Sequence, residues 1–282
     1  MPSVLITGCS SGIGYYCAKA LKQEGYQVFA TARKEEDVQK LREQGFLSYQ
    51  LDLNSTQSID EALSCVLEQT DGTIDVLFNN GAYGQPGAVE DLSREVLRNQ
   101  FETNLFGTHE LTCKVIKIMR KQGRGRIIQN SSVLGLITLK YRGAYNASKF
   151  ALEGLTDTLR QELQGSNIHI SLIEPGPVES DFRKNAYQAF KENITTDDSA
   201  HQSVYEAVEL RLSKQDSDRK KDPFTLGPES VYKPLLHAMT SKKPKARYYV
   251  TTPTWIFGIL RRVLSTRMLD WILVRVSDDE NK

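Results

Sequence analysis

The sequence predicts an α/β protein in which seven parallel strands form one sheet with helices on both faces. Two observations lead to this prediction: short apolar runs alternate with amphipathic segments from residue 3 to about residue 175, and a glycine-rich turn follows the first apolar run. Strand–helix alternation at this spacing is typical of right-handed βαβ units, whose strands pair in parallel. We therefore expect a single, doubly wound domain of the Rossmann type.

The apolar runs have the length of strands, and the segments between them have helical periodicity. Strands are predicted at residues 3–6, 27–31, 47–51, 74–78, 126–129, 169–173 and 247–250. Helices are predicted at residues 12–24, 35–44, 56–68, 95–120, 143–164 and 229–239. One domain is predicted to span residues 1–282.

Residues 182–228 interrupt this rhythm, and we call them the lid segment. They are polar and include the basic run 219–223. They form either a solvated insertion or a mobile lid over the carboxyl ends of the strands, where ligands bind in such sheets. Their position directly after the sixth strand favours a lid.

The C-terminal extension, residues 253–276, is amphipathic. Its apolar residues follow helical spacing, with arginines at other positions: Ile256, Ile259, Leu260, Val263, Leu264, Arg261, Arg262 and Arg267. The arginines make a transmembrane span unfavourable. Three interpretations remain open: packing on the protein's own surface, which we favour, lining of a substrate pocket, or contact with a membrane or partner.

Composition and charge exclude several classes of function. A hydrophobic content of 39% and a charged content of 25% are ordinary for a globular protein, and a net charge of +1 gives no argument for a nucleic-acid surface. The four cysteines lack metal-ligand spacing, so we expect reduced thiols, no metal and a cytoplasmic location. The glycine-rich turn begins by residue 8, which leaves no room for a preceding signal peptide.

The glycine-rich turn, Gly8-x-x-x-Gly12-x-Gly14, lies between a predicted strand and a predicted helix. Glycines let the backbone turn sharply and approach a pyrophosphate, and the helix that follows offers free N–H groups to that anion. The spacing differs from G-x-G-x-x-G, so a purely structural turn remains an alternative.

The end of the second strand indicates which dinucleotide binds. The sequence there has no acidic residue, which would favour a ribose 2′-hydroxyl, and instead reads Arg33-Lys34. Both cations suit a 2′-phosphate, and Ser10 is a further donor. We therefore predict NADP(H) rather than NAD(H), although Arg33 could also simply begin a surface helix.

The third and fourth strands end on residues suited to a nucleotide. The Asp52 carboxylate is placed to accept a bond from an adenine amino group, with Leu53 beside it. After the fourth strand, Asn80 and Gly81 follow Asn79, and small residues let the chain pass close to a ligand. Each pair is also compatible with ordinary turn chemistry.

A tyrosine and a lysine four residues apart, Tyr145 and Lys149, share one face of a helix. An ammonium beside a phenol favours the phenolate, so we expect the pKa of Tyr145 to be lowered from near 10. Ser132 follows a strand and could present its hydroxyl to the same place. The three residues form a candidate site for proton transfer.

Together these residues resemble the classical short-chain dehydrogenase/reductase family over residues 3 to about 180. The motifs that carry the resemblance are Thr7-Gly8-x-x-x-Gly12-x-Gly14, Asp52, Asn79-Asn80, Asn104, Ser132, Tyr145-x-x-x-Lys149 and Pro175-Gly176. Within the family, the stretches 7–14 and 30–33 are similar to 17β-hydroxysteroid and retinol dehydrogenases. The tail, residues 224–229 through 243–248, is similar to bacterial NADP-dependent aldehyde reductases.

The resemblance implies roles for the matched residues. Tyr145 would be the general acid and base, and Lys149 would lower its pKa and bind the nicotinamide ribose. Ser132 would hold the substrate oxygen, and Asn104 would support a water that supplies protons. The implied cofactor-binding set is Gly8, Ser10, Ser11, Gly12, Ile13, Gly14, Arg33, Lys34, Asp52, Leu53, Asn80, Gly81, Tyr145, Lys149, Pro175, Gly176, Val178 and Ser180.

Two positions depart from the family pattern. The family usually reads Asn-Asn-Ala-Gly where this chain has Gly81-Ala82, which puts a special backbone angle at Ala82 in question. Ser180 stands where threonine is common, but a hydroxyl is retained.

The predicted function is reversible hydride transfer between NADP(H) and a carbonyl/alcohol pair, with reduction of a lipophilic aldehyde or ketone. Residues 134–141 suggest an apolar pocket, and simple packing under the lid segment is the alternative. The residues concerned are Leu134, Leu136, Ile137, Leu139 and Tyr141. The alternatives are oxidation of a hydrophobic alcohol, such as a steroid or retinol, and a non-catalytic NADP(H) sensor. Family members usually form homodimers or homotetramers through the helices predicted at 95–120 and 143–164.

Overall fold

The computed structural model describes residues 1–197, 199–213 and 224–280. Its centre is a sheet of seven parallel strands in the order β3-β2-β1-β4-β5-β6-β7. The strands are β1 Ser3–Ile6, β2 Gln27–Ala32, β3 Leu47–Gln50, β4 Val76–Asn79, β5 Gly125–Asn130, β6 Ile168–Glu174 and β7 Arg247–Tyr249. The predicted fold class is therefore confirmed. The strand order reverses between β1 and β4, which opens a crevice at their carboxyl ends.

The helices that connect and cover the strands are α1 Gly12–Gln23, α2 Glu35–Glu43, α3 Thr56–Glu68, α4 Arg94–Phe101, α5 Thr108–Gln122, α6 Gly143–Glu162, α7 Phe182–Asn193, α8 Gln202–Ser213, α9 Glu229–Thr240, α10 Thr252–Val263 and α11 Thr266–Glu280. Serines mark two of the helix starts. The side chain of Ser55 accepts from Ser58 N before α3, and that of Ser93 accepts from Val96 N before α4, both at 3.2 Å.

The two faces of the sheet have separate cores. In β1, Val4 and Ile6 belong to a cluster shared with α1 and α9, whereas Leu5 belongs to a cluster shared with α3 and α5. Successive side chains of a strand point to opposite faces, so one strand supplies both cores. Burial on both faces explains why inner strands such as β1 and β4 are largely apolar runs, whereas the edge strands β3 and β7 are only partly buried.

The single helix predicted at 95–120 is wrong in one respect. A π-helical segment, Glu102–Gly107, separates α4 from α5. A Cβ atom on Gly107 would lie 1.8 Å from the carbonyl oxygen of Leu53, so the helix passes directly over the end of β3. The wider turn also brings Asn104 to the loop after β4, where its side chain bonds Tyr83.

The described part of the lid segment is not simply solvated, because it contains α7 and α8. These helices pack against the loop after β4 through a small apolar cluster: Ala88, Phe190, Ile194, Tyr205, Val208 and Leu212. The basic run 219–223 lies outside the described residues.

The C-terminal extension consists of two helices, α10 and α11. Their inner sides pack on the segment after β5, where Phe257, Leu269 and Leu273 join Leu134 and Ile137 in one cluster. Packing on the protein's own surface, the favoured interpretation, is therefore observed. Among the described residues, no helix combines the length and apolarity needed to cross a membrane.

Candidate active site

Ser132 and Tyr145 meet at the carboxyl edge of the sheet. The strand β5 ends at Asn130, and Ser132 has an extended backbone just before a short turn, where its hydroxyl accepts from Leu134 N at 3.1 Å. The phenol of Tyr145 on α6 lies near this hydroxyl, which opposes the rise in the pKa of Tyr145. Both residues are about nine-tenths buried, at 8% exposure each. Two hydroxyl groups therefore converge on one point of the crevice.

Lys149 lies one helical turn after Tyr145. Its Nζ is 5.6 Å from the centroid of the Tyr145 ring and donates to the backbone oxygen of Asn130 at 2.7 Å. Its side chain is buried beneath the same edge, at 3% exposure. The structure thus brings together the three groups that the sequence singled out for proton transfer.

The expectation that Lys149 lowers the pKa of Tyr145 is wrong for these residues by themselves. Burial raises the pKa of Tyr145 to about 12, although Ser132 and Arg142 oppose the shift. Burial also lowers the pKa of Lys149 to about 8, against the attraction of Glu153. Both charged forms lose hydration, and this loss exceeds the effect of the neighbouring charges. The phenol is therefore neutral near pH 7.

Asn104 lies in the π-helical segment and ties three elements together. Its amide nitrogen donates to the oxygen of Tyr83 at 2.9 Å and to the hydroxyl of Ser148 at 3.2 Å, and its amide oxygen accepts from Tyr83 N at 3.1 Å. Both amide hydrogens of Asn104 already donate to protein groups. Any water held at this place would therefore hydrogen-bond to the oxygens of Asn104 rather than to its side-chain nitrogen.

A chain of hydrogen bonds links Lys149 to the glycine turn. Asn130, whose oxygen accepts from Lys149, donates its side-chain nitrogen to Asn80 Oδ1 at 2.9 Å. Asn80 in turn donates to the backbone oxygens of Thr7 and Gly8, each at 3.0 Å. Asn130 was not predicted from the sequence. Its position at the end of a buried apolar strand, two residues before Ser132, could have indicated it.

The glycine turn is packed too tightly for larger residues. Gly8 and Gly12 have left-handed φ angles of +70° and +55°. A Cβ atom on Gly14 would lie 2.3 Å from the oxygen of Gly8. These facts are compatible with a structural turn. However, Ser11 precedes α1 without a side-chain cap, so the first N–H groups of this helix have no side-chain acceptor from that residue.

The predicted phosphate-binding residues lie at the exposed end of β2. Arg33 and Lys34 are exposed, as is Ser10 in the glycine turn. Burial raises the pKa of Tyr83, and Arg33 opposes this shift, so the guanidinium lies close enough to act on a residue of the loop after β4. Arg33 therefore lies near the carboxyl end of β4, and Lys34 follows it at the surface.

Asp52 and Leu53 both have structural roles within the protein. Asp52 Oδ1 accepts from Asn54 N at 3.0 Å, which is ordinary turn chemistry, and Leu53 is buried under Gly107. Gly81 packs on Thr7, whose hydroxyl accepts from Gly81 N at 2.9 Å. Ala82 is absent from the described residues with left-handed φ angles, so the departure at Gly81-Ala82 imposes no backbone strain.

The loop after β6 joins the two halves of the crevice. The oxygen of Pro175 accepts from Val133 N at 2.8 Å, next to Ser132, and a Cβ atom on Gly176 would lie 2.2 Å from Thr251 Oγ1. At the other end of this loop, Ser180 lies against Gly12, where a Cβ atom would be 2.7 Å from the Ser180 Cβ. Val178 pairs with Leu226.

The apolar pocket residues divide between two clusters. Leu134 and Ile137 contact Tyr145 and Leu273, with Leu139 packed beside them. Tyr141, which has a left-handed φ of +59°, instead packs with Tyr205 of the lid segment at 6.3 Å between ring centroids. Tyr141 therefore packs in a different cluster from Leu134 and Ile137.

The fold and these side chains define an oxidoreductase of the doubly wound α/β class. A family model described as short chain dehydrogenase matches residues 2–191. The chain is 42% identical over 271 residues to the uncharacterized oxidoreductase YbbO of Escherichia coli, covering 96% of this chain and 93% of the relative. The chain therefore belongs to the short-chain dehydrogenase/reductase family.

Two further relatives have named activities. The NADPH-dependent 3-dehydrocapnine reductase of Ornithobacterium rhinotracheale is 30% identical over 283 residues, which cover 98% of this chain and 97% of that protein. Human retinol dehydrogenase 8 is 41% identical over 190 residues, which cover 64% of this chain and 60% of that protein.

Proposed function

We propose that this protein is an NADP(H)-dependent oxidoreductase that reduces a lipophilic aldehyde or ketone to the alcohol. The observation that carries this proposal is the convergence of the Ser132 and Tyr145 hydroxyls above the buried ammonium of Lys149, at the switch point of the sheet. These three side chains can together supply a proton to a carbonyl oxygen on which negative charge develops.

The residues present fit a phosphorylated dinucleotide. The start of α1 without a side-chain cap suits the pyrophosphate, and the close packing of Gly8, Gly12 and Gly14 suits a backbone that approaches a ligand. Arg33 and Lys34 suit a 2′-phosphate. The NADPH dependence of the Ornithobacterium relative supports the same choice. When bound, the nicotinamide would supply the hydride for reduction.

The protein's own residues would carry out the proton transfer. Ser132 would donate a hydrogen bond to the substrate oxygen and hold it beside Tyr145. Because burial raises the pKa of Tyr145 to about 12, its hydroxyl carries a proton near neutral pH and can pass it to that oxygen. Lys149, with a pKa lowered to about 8, would stabilise the phenolate left behind. This order of events favours reduction.

The substrate class follows from the wall beside Tyr145. Leu134, Ile137 and Leu273 form an apolar surface there, and the ring of Phe182 faces the phenol from the lid segment. Apolar walls favour substrates that bury hydrocarbon. We therefore propose a lipophilic carbonyl compound, with the lid segment covering it.

Oxidation of a hydrophobic alcohol is the second candidate, and the similarity to retinol dehydrogenase 8 favours it. A non-catalytic NADP(H) sensor is the third, but Asn104, Ser132, Tyr145 and Lys149 are all present, and a sensor would not need them. We further propose a cytoplasmic homodimer or homotetramer formed through α4, α5 and α6, where Leu97 and Leu155 are exposed.

A spectrophotometric assay tests the proposal. NADPH and NADH oxidation would be followed with aldehydes and ketones of increasing chain length, and NADP⁺ reduction with the matching alcohols. We expect NADPH to be preferred and the longer carbonyl compounds to give the higher kcat/KM. Binding of NADPH without turnover of any of these compounds would support the sensor, and faster alcohol oxidation at neutral pH would support the dehydrogenase.

A further inference from the structure

The outer sides of α10 and α11 expose an unusual amount of apolar surface. We define the docking face as the seven large apolar residues of these helices that are between 42% and 68% exposed: Trp255, Ile256, Ile259, Val263, Met268, Trp271 and Val274. In α10 they recur at helical spacing, and in α11 they recur every third residue. Both stripes turn away from the protein body, because the inner sides of both helices contact the same cluster.

The arginines of the two helices lie among the apolar residues of the docking face. Between residues 252 and 280 there are four arginines and four acidic residues, but three of these acids, Asp278, Asp279 and Glu280, follow one another at the end of α11, and Asp278 pairs with Lys140. Arg262, Arg267 and Arg275 are exposed, and the guanidinium of Arg275 stacks 3.4 Å from the centroid of the Trp271 ring. Arg261, by contrast, reaches inward to the oxygen of Leu136 and the ring of Phe150. Exposed arginines and tryptophans on an apolar helix pair are typical of an interfacial helix.

A cleft of about 400 Å³ opens at the edge of the docking face. It is lined by Pro234, Lys245, Arg247, Tyr248, Tyr249, Trp255 and Arg262. The guanidinium of Arg247 is already held by the side chains of Glu153, Glu174 and Asp157. Within the described ranges, the side chains of Lys245 and Arg262 have no ion-pair or hydrogen-bond partner. This cleft therefore offers two free cations beside an aromatic pair, Tyr249 and Trp255, whose ring centroids are 5.1 Å apart.

We infer that the docking face binds the surface of an anionic lipid bilayer, with a lipid phosphate in the cleft. The apolar stripes enter the boundary between headgroups and acyl chains, and Lys245 and Arg262 neutralise the phosphate. A second copy of the chain fits this face less well. A twofold contact centred on the cleft would bring Lys245 and Arg262 of one copy against the same cations of the other, because the described residues that line the cleft include no acid.

The location of the docking face connects it to the crevice. Phe257, Leu269 and Leu273, on the inner sides of the same helices, pack at the wall that includes Tyr145. A bilayer bound to the outer sides would therefore lie one helix diameter from the apolar pocket, where a lipophilic carbonyl compound could enter. Only this last point depends on the proposed function, because binding to the bilayer needs neither cofactor nor turnover.

Sedimentation of the full-length protein with vesicles tests the inference. One set of vesicles contains phosphatidylcholine alone, and the other contains phosphatidylcholine mixed with phosphatidylglycerol. We expect the protein to sediment with the anionic vesicles. A Trp255→Ser/Trp271→Ser variant should bind at least about tenfold more weakly, because two large apolar side chains no longer enter the membrane. Leu210→Ser, at an exposed leucine of α8, is the matched control and should bind normally.

The charged residues of the cleft have their own variant. Lys245→Glu/Arg262→Glu should weaken binding to anionic vesicles by at least about tenfold and leave binding to phosphatidylcholine unchanged, since a basic residue near such a surface contributes about 1 kcal/mol. Thermal unfolding of each variant checks that the fold is intact.

Three outcomes overturn the inference. The parent protein could fail to sediment with anionic vesicles, the double tryptophan variant could bind as well as the parent, or the cleft variant could do so. If the tryptophan variant instead dissociates an oligomer in analytical ultracentrifugation while the parent ignores vesicles, the docking face is an interface between copies. NADPH oxidation with a short, water-soluble aldehyde, measured in parallel, shows separately whether the proposed reaction fails.

Discussion

The ring of Phe182 meets the ring of Tyr145 edge-on, with 5.2 Å between the centroids. Phe182 is the first residue of α7, so the start of the lid segment touches the residue proposed to deliver the proton. Gly84 makes room for this contact, because a Cβ atom there would lie 2.7 Å from the Phe182 ring. The position of the lid segment and the orientation of the phenol are thereby coupled.

Replacing this ring should weaken substrate binding. We expect Phe182→Ala to raise KM for a long-chain aldehyde about five- to tenfold, since the substrate would bury less apolar surface, which contributes about 25 cal/mol per Å². Phe182→Tyr keeps the ring and serves as the control. Steady-state kinetics with NADPH saturating would measure the effect, and an unchanged KM would show that the ring does not border the substrate.

Tyr145→Phe should lower kcat by roughly a hundredfold or more, because the proton donor is lost. The ring stays in place, so the affinity for NADPH, measured by fluorescence titration, should change little. A variant that retains near-normal turnover would contradict the proposed role of Tyr145. Ser132→Ala should give a smaller loss, since it removes a hydrogen bond and leaves the proton donor.

The pH profiles of the two directions should differ. Alcohol oxidation needs an unprotonated phenol, and because the pKa of Tyr145 is raised to about 12, the oxidation rate should climb steadily between about pH 7 and about pH 10. Carbonyl reduction needs the protonated phenol and the ammonium of Lys149, so it should decline as the pH rises through about 8. Initial rates would be measured in both directions across this pH range. If the oxidation and reduction rates depended on pH in the same way, the roles assigned to Tyr145 and Lys149 would be contradicted.

Arg33→Asp should shift the preference of the enzyme from NADPH toward NADH. The new carboxylate repels a 2′-phosphate and can accept a bond from a 2′-hydroxyl, so the ratio of the two kcat/KM values should fall by at least about tenfold. Lys40→Asp is the control, because Lys40 is an exposed cation of α2 that pairs with Asp37 at the surface. If the ratio of kcat/KM for NADPH to that for NADH were similar in the two variants, Arg33 would not bind the 2′-phosphate and would merely precede α2.

A buried carboxyl group should make stability depend on pH. Burial and the nearby Glu153 raise the pKa of Glu174 to about 8, against an ordinary value of 4.5. The folded state therefore binds a proton that the unfolded state releases between these pH values, so the free energy of unfolding should fall as the pH rises from about 5 to about 8. Glu174→Gln should flatten this part of the Tm–pH curve, whereas Asp60→Asn, at an exposed carboxylate, should not.

The sequence was sufficient for the inner strands because β1, β2, β4 and β6 are buried on both faces and so read as largely apolar runs, whereas the edge strands β3 and β7 are only partly buried. The strand β4 shows the limit of this signal: Ile74 is buried but precedes the strand, which begins at Val76. The π-helical segment had no sequence signal of its own, since it depends on the contact between Gly107 and Leu53 and on the bonds of Asn104 to Tyr83. Such contacts between distant segments follow from packing.

At the site, the sequence located Ser132, Tyr145 and Lys149, because the chemistry of these side chains and their spacing are informative. It gave the wrong direction for the pKa of Tyr145, since burial is a property of the folded chain. The sequence did not indicate a role for Asn130. It also did not indicate the carboxylates that pair with Arg247, which come from α6 and β6. These groups are brought together only when β6 and β7 pair.

The small cluster that joins α7 and α8 to Ala88 has a practical consequence for engineering. Because these helices bury their own apolar side chains, the described part of the lid segment behaves as a module whose internal contacts would travel with it. Its contact with the phenol is confined to its first residue. Grafting α7 and α8 from another member of the family would therefore change the surroundings of the Tyr145 phenol without replacing residues 224–228, where Leu226 pairs with Val178.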